Sequence, residues 1–258
     1  MSIATSADGT PIEFSATGDG RTVVIVNGAL SRAEDAAPIA RALADAGLRA
    51  VTWDRRARGG SGDRSGSTPD DEVADLAAVI KAAGGADAVL GHSSGAVLAL
   101  YAASQGVPTG ALFLSEPPID VDGSGAQTPE LAERLQALVS DGRPGDAIET
   151  FQIEAVGLPR EMVEAGRANG MLSALTALAQ STVYDTRLVY RMRQPSGELL
   201  DVKRPVTVLR GEQTFPFLIA ASDWAAGQIP GAELVIVPES VMHRVDPTAT
   251  ARVISARL

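Results

Sequence analysis

At 258 residues, the chain suits one large α/β domain or two small ones, with ample core for independent stability. Its formal net charge of −10 argues against nucleic acid or an anionic membrane surface as a partner, because both repel an acidic protein. Cysteine is absent, which excludes disulfides, thiolate metal sites and cysteine nucleophiles.

The opening MSIATSADGTPIEF has no basic stretch followed by an apolar one, so it does not read as a signal peptide. No apolar run approaches the roughly 18 residues of a membrane helix, and the expectation is a cytoplasmic enzyme. Within that opening, Asp8-Gly9 predicts a hairpin turn. TVVIVN (22–27) is continuous and β-branched, as for a strand buried on both faces. APIARALADAG (37–47) has helical spacing and stops at glycine. RAVTWD (49–54) predicts the next strand. A helix then opens near Ser67 and Thr68, carries acids in its first turn and ends at Gly84 and Gly85. ADAVLG predicts a strand, SGAVLALYAASQG a helix and GALFLS (110–115) another strand.

The alternation then stops. From about residue 121 to 203 the patterns are all short helices: ELAERLQALVSDG, GDAIETFQIEAVG, REMVEAGRANG and LSALTALAQSTVYD. It resumes with PVTVLRG (strand), FLIAASDWAAGQIPG (helix), AELVIVPES (strand) and PTATARVISARL (helix). Strand–helix alternation implies a parallel sheet covered on both sides. The helical block reads as an inserted cap, residues 121–203, on a core made of 1–120 and 204–258.

Between the predicted strand ADAVLG and the predicted helix SGAVLALYAASQG lies GHSSG, a match to G-x-S-x-G with Ser93 at its centre. With 26 glycines in the chain, the pattern alone is weak, and its context carries the weight. A tight strand-to-helix turn forces the central residue into a strained conformation, and flanking glycines avoid Cβ clashes. Such a turn lifts the serine hydroxyl above the sheet edge and puts the next N–H, that of Ser94, at a helix N-terminus. Ser93 is therefore the candidate nucleophile. Ser94 is expected to supply a backbone donor only, its side chain being incidental.

A serine nucleophile needs a base. Of the two histidines, His92 lies inside the elbow and is read as packed beside the sheet. His243, in SVMHRVD after the last predicted strand, lies where the chain returns to the C-terminal sheet edge, and is the candidate base. A second oxyanion donor is expected from the turn after TVVIV, where Gly28 permits close approach and Ala29 offers its N–H.

Taken together, VIVNGA, WDRRARGGSGD, LGHSSGAVLAL, LFLSEPP, VTVLRGE and MHRVD resemble the α/β-hydrolase superfamily, in order and over nearly the whole chain. The later part is similar to a bacterial group with an EPP segment after strand six. The resemblance implies the α/β-hydrolase fold: a mostly parallel eight-stranded sheet flanked by helices, with a helical cap after strand six. Two positions depart from the pattern in the loops: Ala57 replaces a usual glycine, and Asn27 stands where many relatives have histidine. The larger departure is the acid. Relatives usually carry aspartate three residues after the glycine ending strand seven, Gly211; here that position is Thr214. Some superfamily members, including certain haloalkane dehalogenases, instead place a glutamate after strand six, which makes Glu116 the candidate acid, with Glu212 and Asp120 weaker ones. Arg55 and Arg56 are expected to be structural.

The chemistry this implies is acyl transfer by Ser93, His243 and Glu116, with Ala29 and Ser94 as oxyanion donors, on an ester, lactone or similar small-molecule substrate. No metal or organic cofactor is expected. Phe151, Met162, Met171, Leu172, Leu175 and Tyr184 suggest a largely apolar pocket, or packing within the cap. A serine at the elbow argues against the dehalogenase and epoxide-hydrolase chemistry of relatives with aspartate there. Two alternatives are a non-hydrolytic enzyme on the same fold (isomerase, lyase, cyclase or acyltransferase) and a ligand-binding protein with a vestigial site.

Overall fold

Apolar β-branched runs build the centre of the molecule. In the computed structural model, which describes residues 1–123 and 127–258, they form an eight-stranded sheet. The hairpin comes first: β1 (Ser2–Thr5) and β2 (Pro11–Thr17) pair antiparallel, with Gly9 in the turn at φ +87°. The strands β3 (Thr22–Val26), β4 (Arg49–Trp53), β5 (Ala88–His92), β6 (Ala111–Ser115), β7 (Val206–Arg210) and β8 (Glu233–Ile236) follow. Their order is β1-β2-β4-β3-β5-β6-β7-β8, parallel from β4 onward. The order reverses direction between β3 and β5, and the crevice beyond the strand ends at such a switch point is where open α/β sheets bind ligands.

Helices cover both faces, which is why the central strands are apolar on alternate and intervening residues alike. One face packs Val24, Val26, Val89 and Leu114 against α2 (Pro69–Ala82) and α3 (Ser94–Ser104). The other packs Val23, Ile25, Leu90 and Phe113 against α1 (Ala37–Asp45) and the closing helix (Pro247–Ser255). The predicted start of α2 is real in detail: Thr68 accepts the Asp71 N–H and Asp71 reaches back to the Thr68 N–H. Such a box contributes about 1 kcal/mol.

Between β6 and β7 there is no strand among the described residues. This stretch holds α4 (Pro129–Ser140), α5 (Pro144–Thr150) running into a π-helical turn (Phe151–Ala155), α6 (Arg160–Ala168), α7 (Met171–Leu175), α8 (Ala179–Arg191) and α9 (Gly197–Leu200). α10 (Pro216–Gln228) and α11 (Pro247–Ser255) complete the chain. The helical segment has its own apolar cluster, which includes Leu135, Ile148 and Val183 and rests on Ala29 and Leu30. Leu172 and Tyr184 belong to that packing, Leu175 borders it, and Met162 is exposed. The Met171 side chain lies outside the described residues.

Candidate active site

β5 ends in the core and α3 begins one residue later, so the chain must turn within Ser93. It does so at φ 54°, ψ −126°, a conformation that costs on the order of 1–3 kcal/mol for a residue with a side chain. The expected need for small neighbours is met: a Cβ on Gly95 would lie 2.1 Å from the Val26 carbonyl oxygen. Ser94 is the first residue of α3, so its N–H has no carbonyl to bond within the helix and sits at the positive end of the helix dipole.

Glu116 and His243 meet although 127 residues separate them. Glu116 follows β6 at φ +47°, and His243 follows β8 at φ +63°. Their contact is Nδ1 to Oε2, at 2.5 Å. The second carboxylate oxygen accepts the Gly211 N–H at 2.9 Å, and the Thr214 hydroxyl donates to Oε2 at 3.0 Å. Burial opposes the charge of Glu116, but the bonds from His243, Gly211 and Thr214 outweigh it and hold the group below the usual carboxylate range. An ionised carboxylate only accepts, so the imidazole proton lies on Nδ1 and Nε2 keeps its lone pair. The loop after β7 clamps the histidine from the backbone as well, since the Met242 N–H donates to the Gln213 carbonyl at 2.8 Å.

His92, expected to pack beside the sheet, bonds to the neighbouring strand and also meets the candidate base. Its ring lies 4.6 Å from that of His243, centroid to centroid, and its Nδ1 is 3.2 Å from the Ser115 hydroxyl. Burial first, and the neighbouring His243 second, push its pKa down to about 3, so it is neutral at pH 7.

The loop after β3 lies directly against the elbow: a Cβ on Gly28 would come within 2.9 Å of the Ser93 Cβ. Arg58 donates to the Gly28 carbonyl at 2.6 Å and to that of Ser31 at 3.2 Å. In a trans peptide the C=O and the following N–H point opposite ways. Holding the Gly28 carbonyl therefore aims the Ala29 N–H away from Arg58. Asn27, in the place of the usual histidine, ties the loop by donating to the Arg32 carbonyl at 2.6 Å.

Arg58 belongs to a cluster with Arg55, Glu72 and Asp185, all four fully or almost fully buried. Asp185 of α8 binds Arg55 at 2.9 Å and Arg58 at 2.7 Å; Arg55 also binds Glu72 at 2.7 Å. Two positive and two negative groups leave no net charge, which is what makes such burial tolerable. Desolvation opposes the Asp185 charge, yet Arg58 and Arg55 keep its carboxyl below the usual range; Glu72 is pushed up chiefly by burial. The Ser94 hydroxyl is part of this cluster, donating to Asp185 at 2.7 Å and accepting from Arg55 at 3.1 Å. Its side chain is thus not incidental, contrary to the sequence expectation. Arg58 and Asp185 had no sequence motif to mark them; three arginines within WDRRAR, every one buried, are the available signal.

Ala57, the residue in place of a usual glycine, sits at φ +60°. The position demands the left-handed region whichever residue occupies it, which accounts for glycine elsewhere.

These groups surround a cavity of about 350 Å³ between the C-terminal sheet edge and the helical segment. Ser93, Ser94, Ala29 and His243 line its floor; Phe151, Leu158 and Val189 are among the apolar residues above them. No direct hydrogen bond joins Ser93 to His243, a contact that in such sites commonly tightens only around substrate. Among the described residues no three histidine, aspartate or glutamate side chains are grouped to hold a metal ion, and no helix is long and apolar enough to cross a membrane.

The chain is 37% identical to an alpha/beta hydrolase from Sphaerobacter thermophilus, with 99% of each chain covered and a TM-score of 0.90. An enol-lactonase from Burkholderia xenovorans is 17% identical over 100% of both chains, with a TM-score of 0.70. An esterase from Exiguobacterium antarcticum is 18% identical, covering 91% of this chain and 89% of its own, with a TM-score of 0.65; these two likenesses speak for the fold alone. No curated protein matches the chain. Residues 23–253 match the model of the alpha/beta hydrolase family, and with the eight-stranded sheet and the Sphaerobacter likeness this makes the chain a member of that family.

Proposed function

We propose that the protein is a serine hydrolase that cleaves a carboxylic ester, lactone or related acyl substrate through an acyl-enzyme. The observation that carries this reading is the Glu116–His243 contact, which leaves Nε2 of His243 free as a base on the cavity that Ser93 also lines. Nε2 takes the Ser93 proton while Oγ bonds to the substrate carbonyl carbon. The oxygen's new negative charge is met by the Ala29 and Ser94 N–H groups. When the tetrahedral species collapses, the C–O bond to the leaving alcohol breaks and the imidazolium returns its proton to that oxygen. Water then repeats the sequence on the ester of Ser93, releasing the acid.

In this reading Glu116 keeps the imidazole in the tautomer that can accept, and stabilises the imidazolium. Arg58 acts through the peptide it holds, by orienting the Ala29 donor. Residues 121–203 serve as a cap that excludes water and shapes the pocket, on a core of 1–120 and 204–258. The names of two structural neighbours, an esterase and an enol-lactonase, fit acyl transfer.

The test is covalent labelling by a fluorophosphonate together with hydrolysis of short 4-nitrophenyl esters. Ser93→Ala should abolish both. Ser94→Ala, which keeps the backbone donor but loses the bond to Asp185, should retain activity within about tenfold. Equal, complete loss in both variants would mean that the wrong serine, or the wrong chemistry, has been assigned.

A further inference from the structure

The cavity wall carries charge of one sign. Besides His243, its titratable side chains are Asp120, Asp122, Glu154 and Asp185, and among the described residues no lysine or arginine joins them. Two of these carboxylates are compensated from outside the cavity: Asp185 by Arg55 and Arg58, and Glu154 by Arg134. Asp120 differs. Its Oδ1 accepts the Gly123 N–H at 2.9 Å, while Oδ2 is shielded from solvent and has no hydrogen-bond partner among the described residues. Its backbone is pinned by an N–H bond to the Arg193 carbonyl at 2.9 Å, so the side chain's base is held at the wall. A carboxylate oxygen that neither water nor a cation reaches is poorly screened, and its field extends into an apolar cavity. The positive end of α3 begins at Ser94, beside the candidate nucleophile, and so serves the reacting carbonyl in the acyl-transfer reading.

We propose that this cavity selects acyl substrates whose chain is uncharged or cationic and rejects those bearing a free carboxylate, with Asp120 as the specificity-determining residue; the proposal rests on the acyl-transfer reading above. Among the described residues a substrate carboxylate entering the slot finds no lysine or arginine, and it meets a like charge in a medium where repulsion is strong. An alkyl chain loses nothing by entering, and an ammonium group gains a counter-charge. Asp120 stands four residues after Glu116 on the same segment, so one stretch of chain supplies both the proposed acid and the discrimination.

The experiment compares three 4-nitrophenyl esters of equal chain length: hexanoate, the half-ester of adipic acid and 6-ammoniohexanoate. Wild-type kcat/KM for the carboxylate-ended ester should fall at least roughly tenfold below that for hexanoate, and the ammonium-ended ester should equal or exceed hexanoate. Asp120→Asn should shrink the hexanoate-to-carboxylate ratio by roughly threefold or more, and lower the ammonium-to-hexanoate ratio. Calorimetric titration of the wild-type protein with hexanamide, adipamate and 6-aminohexanamide reads the same discrimination without chemistry. If no ester is cleaved but the three amides bind in the predicted order, the acyl-transfer reading falls and the selectivity stands. A carboxylate-ended ester or amide handled as well as the neutral one, or ratios unmoved by Asp120→Asn, overturns the proposal.

Discussion

The loops that follow β6 and β7 leave the same edge of the sheet side by side, and they divide one task between them. The β7 loop occupies the place where the resemblance puts the acid, yet what it contributes around Glu116 and His243 is neutral: the Gly211 N–H, the Gln213 carbonyl and the Thr214 hydroxyl. The β6 loop supplies the charge, through Glu116. The two are complementary in detail, because Gly211 and Thr214 both donate to Glu116, and Gln213 accepts from the residue beside His243. What an imidazole requires is a carboxylate oxygen at one point in space. Adjacent parallel strands bring two chain segments to that point, so either can provide it. A side chain longer by one methylene lets glutamate reach His243 from the neighbouring strand.

The largest effect on this division should come from moving the charge. Glu116→Ala is expected to lower turnover on the order of 10³-fold, and Glu116→Ala/Thr214→Asp to recover roughly tenfold of that by returning the acid to the β7 loop. Steady-state hydrolysis of a neutral ester checks both. Thr214→Val should cost less, about threefold to tenfold, since it removes one of three bonds that keep Glu116 ionised while leaving the contact with His243. An apparent kinetic pKa that rises in Thr214→Val would mark the loss as electrostatic, whereas a structural defect would lower the rate at every pH.

A smaller effect separates His92 from Glu116 by acid stability. His92 is held neutral in the fold with a pKa of about 3, whereas an unfolded histidine takes up its proton near 6.5. The unfolded chain therefore binds more protons in that window, and stability falls as pH drops from about 6.5 toward 3, by up to about 1.4 kcal/mol per unit. Glu116, lowered in the fold, stabilises above its usual range and loses that contribution only as pH falls through its folded value, below 4.5. Urea unfolding between pH 7 and 5 thus reads His92 without Glu116, and His92→Gln should flatten the slope. An unchanged slope would contradict the assignment.

Most of the fold was legible because it is written locally. TVVIV, AVLGH and ALFLS are short apolar runs bounded by glycine or polar turns, and they are strands β3, β5 and β6. Thr68 announces α2 through a cap that spans three residues. The candidate site was legible for a different reason, scarcity: two histidines leave little choice of base, and a threonine in the acid's place directs attention to Glu116. The buried cluster was not legible. Arg58 and Asp185 are 127 residues apart, and their pairing depends on how α8 docks over the sheet edge, which no local pattern encodes. The Ser94 hydroxyl escaped notice for the same reason, since its partner comes from that helix. The contact between His92 and His243 was not legible either, because the approach of the His243 loop, and not the elbow itself, decides what the His92 ring touches besides the sheet.

The central claim is that the carboxylate after β6, not the loop after β7, makes Ser93 reactive through His243. The rate of Ser93 labelling by a fluorophosphonate tests it most directly, measured on Glu116→Gln and Glu212→Gln side by side once circular dichroism has shown both to be folded. The account predicts a loss on the order of 10² to 10⁴ in Glu116→Gln and a rate within about twofold of wild type in Glu212→Gln. Near-normal labelling of folded Glu116→Gln, or a deep loss in Glu212→Gln, would contradict it.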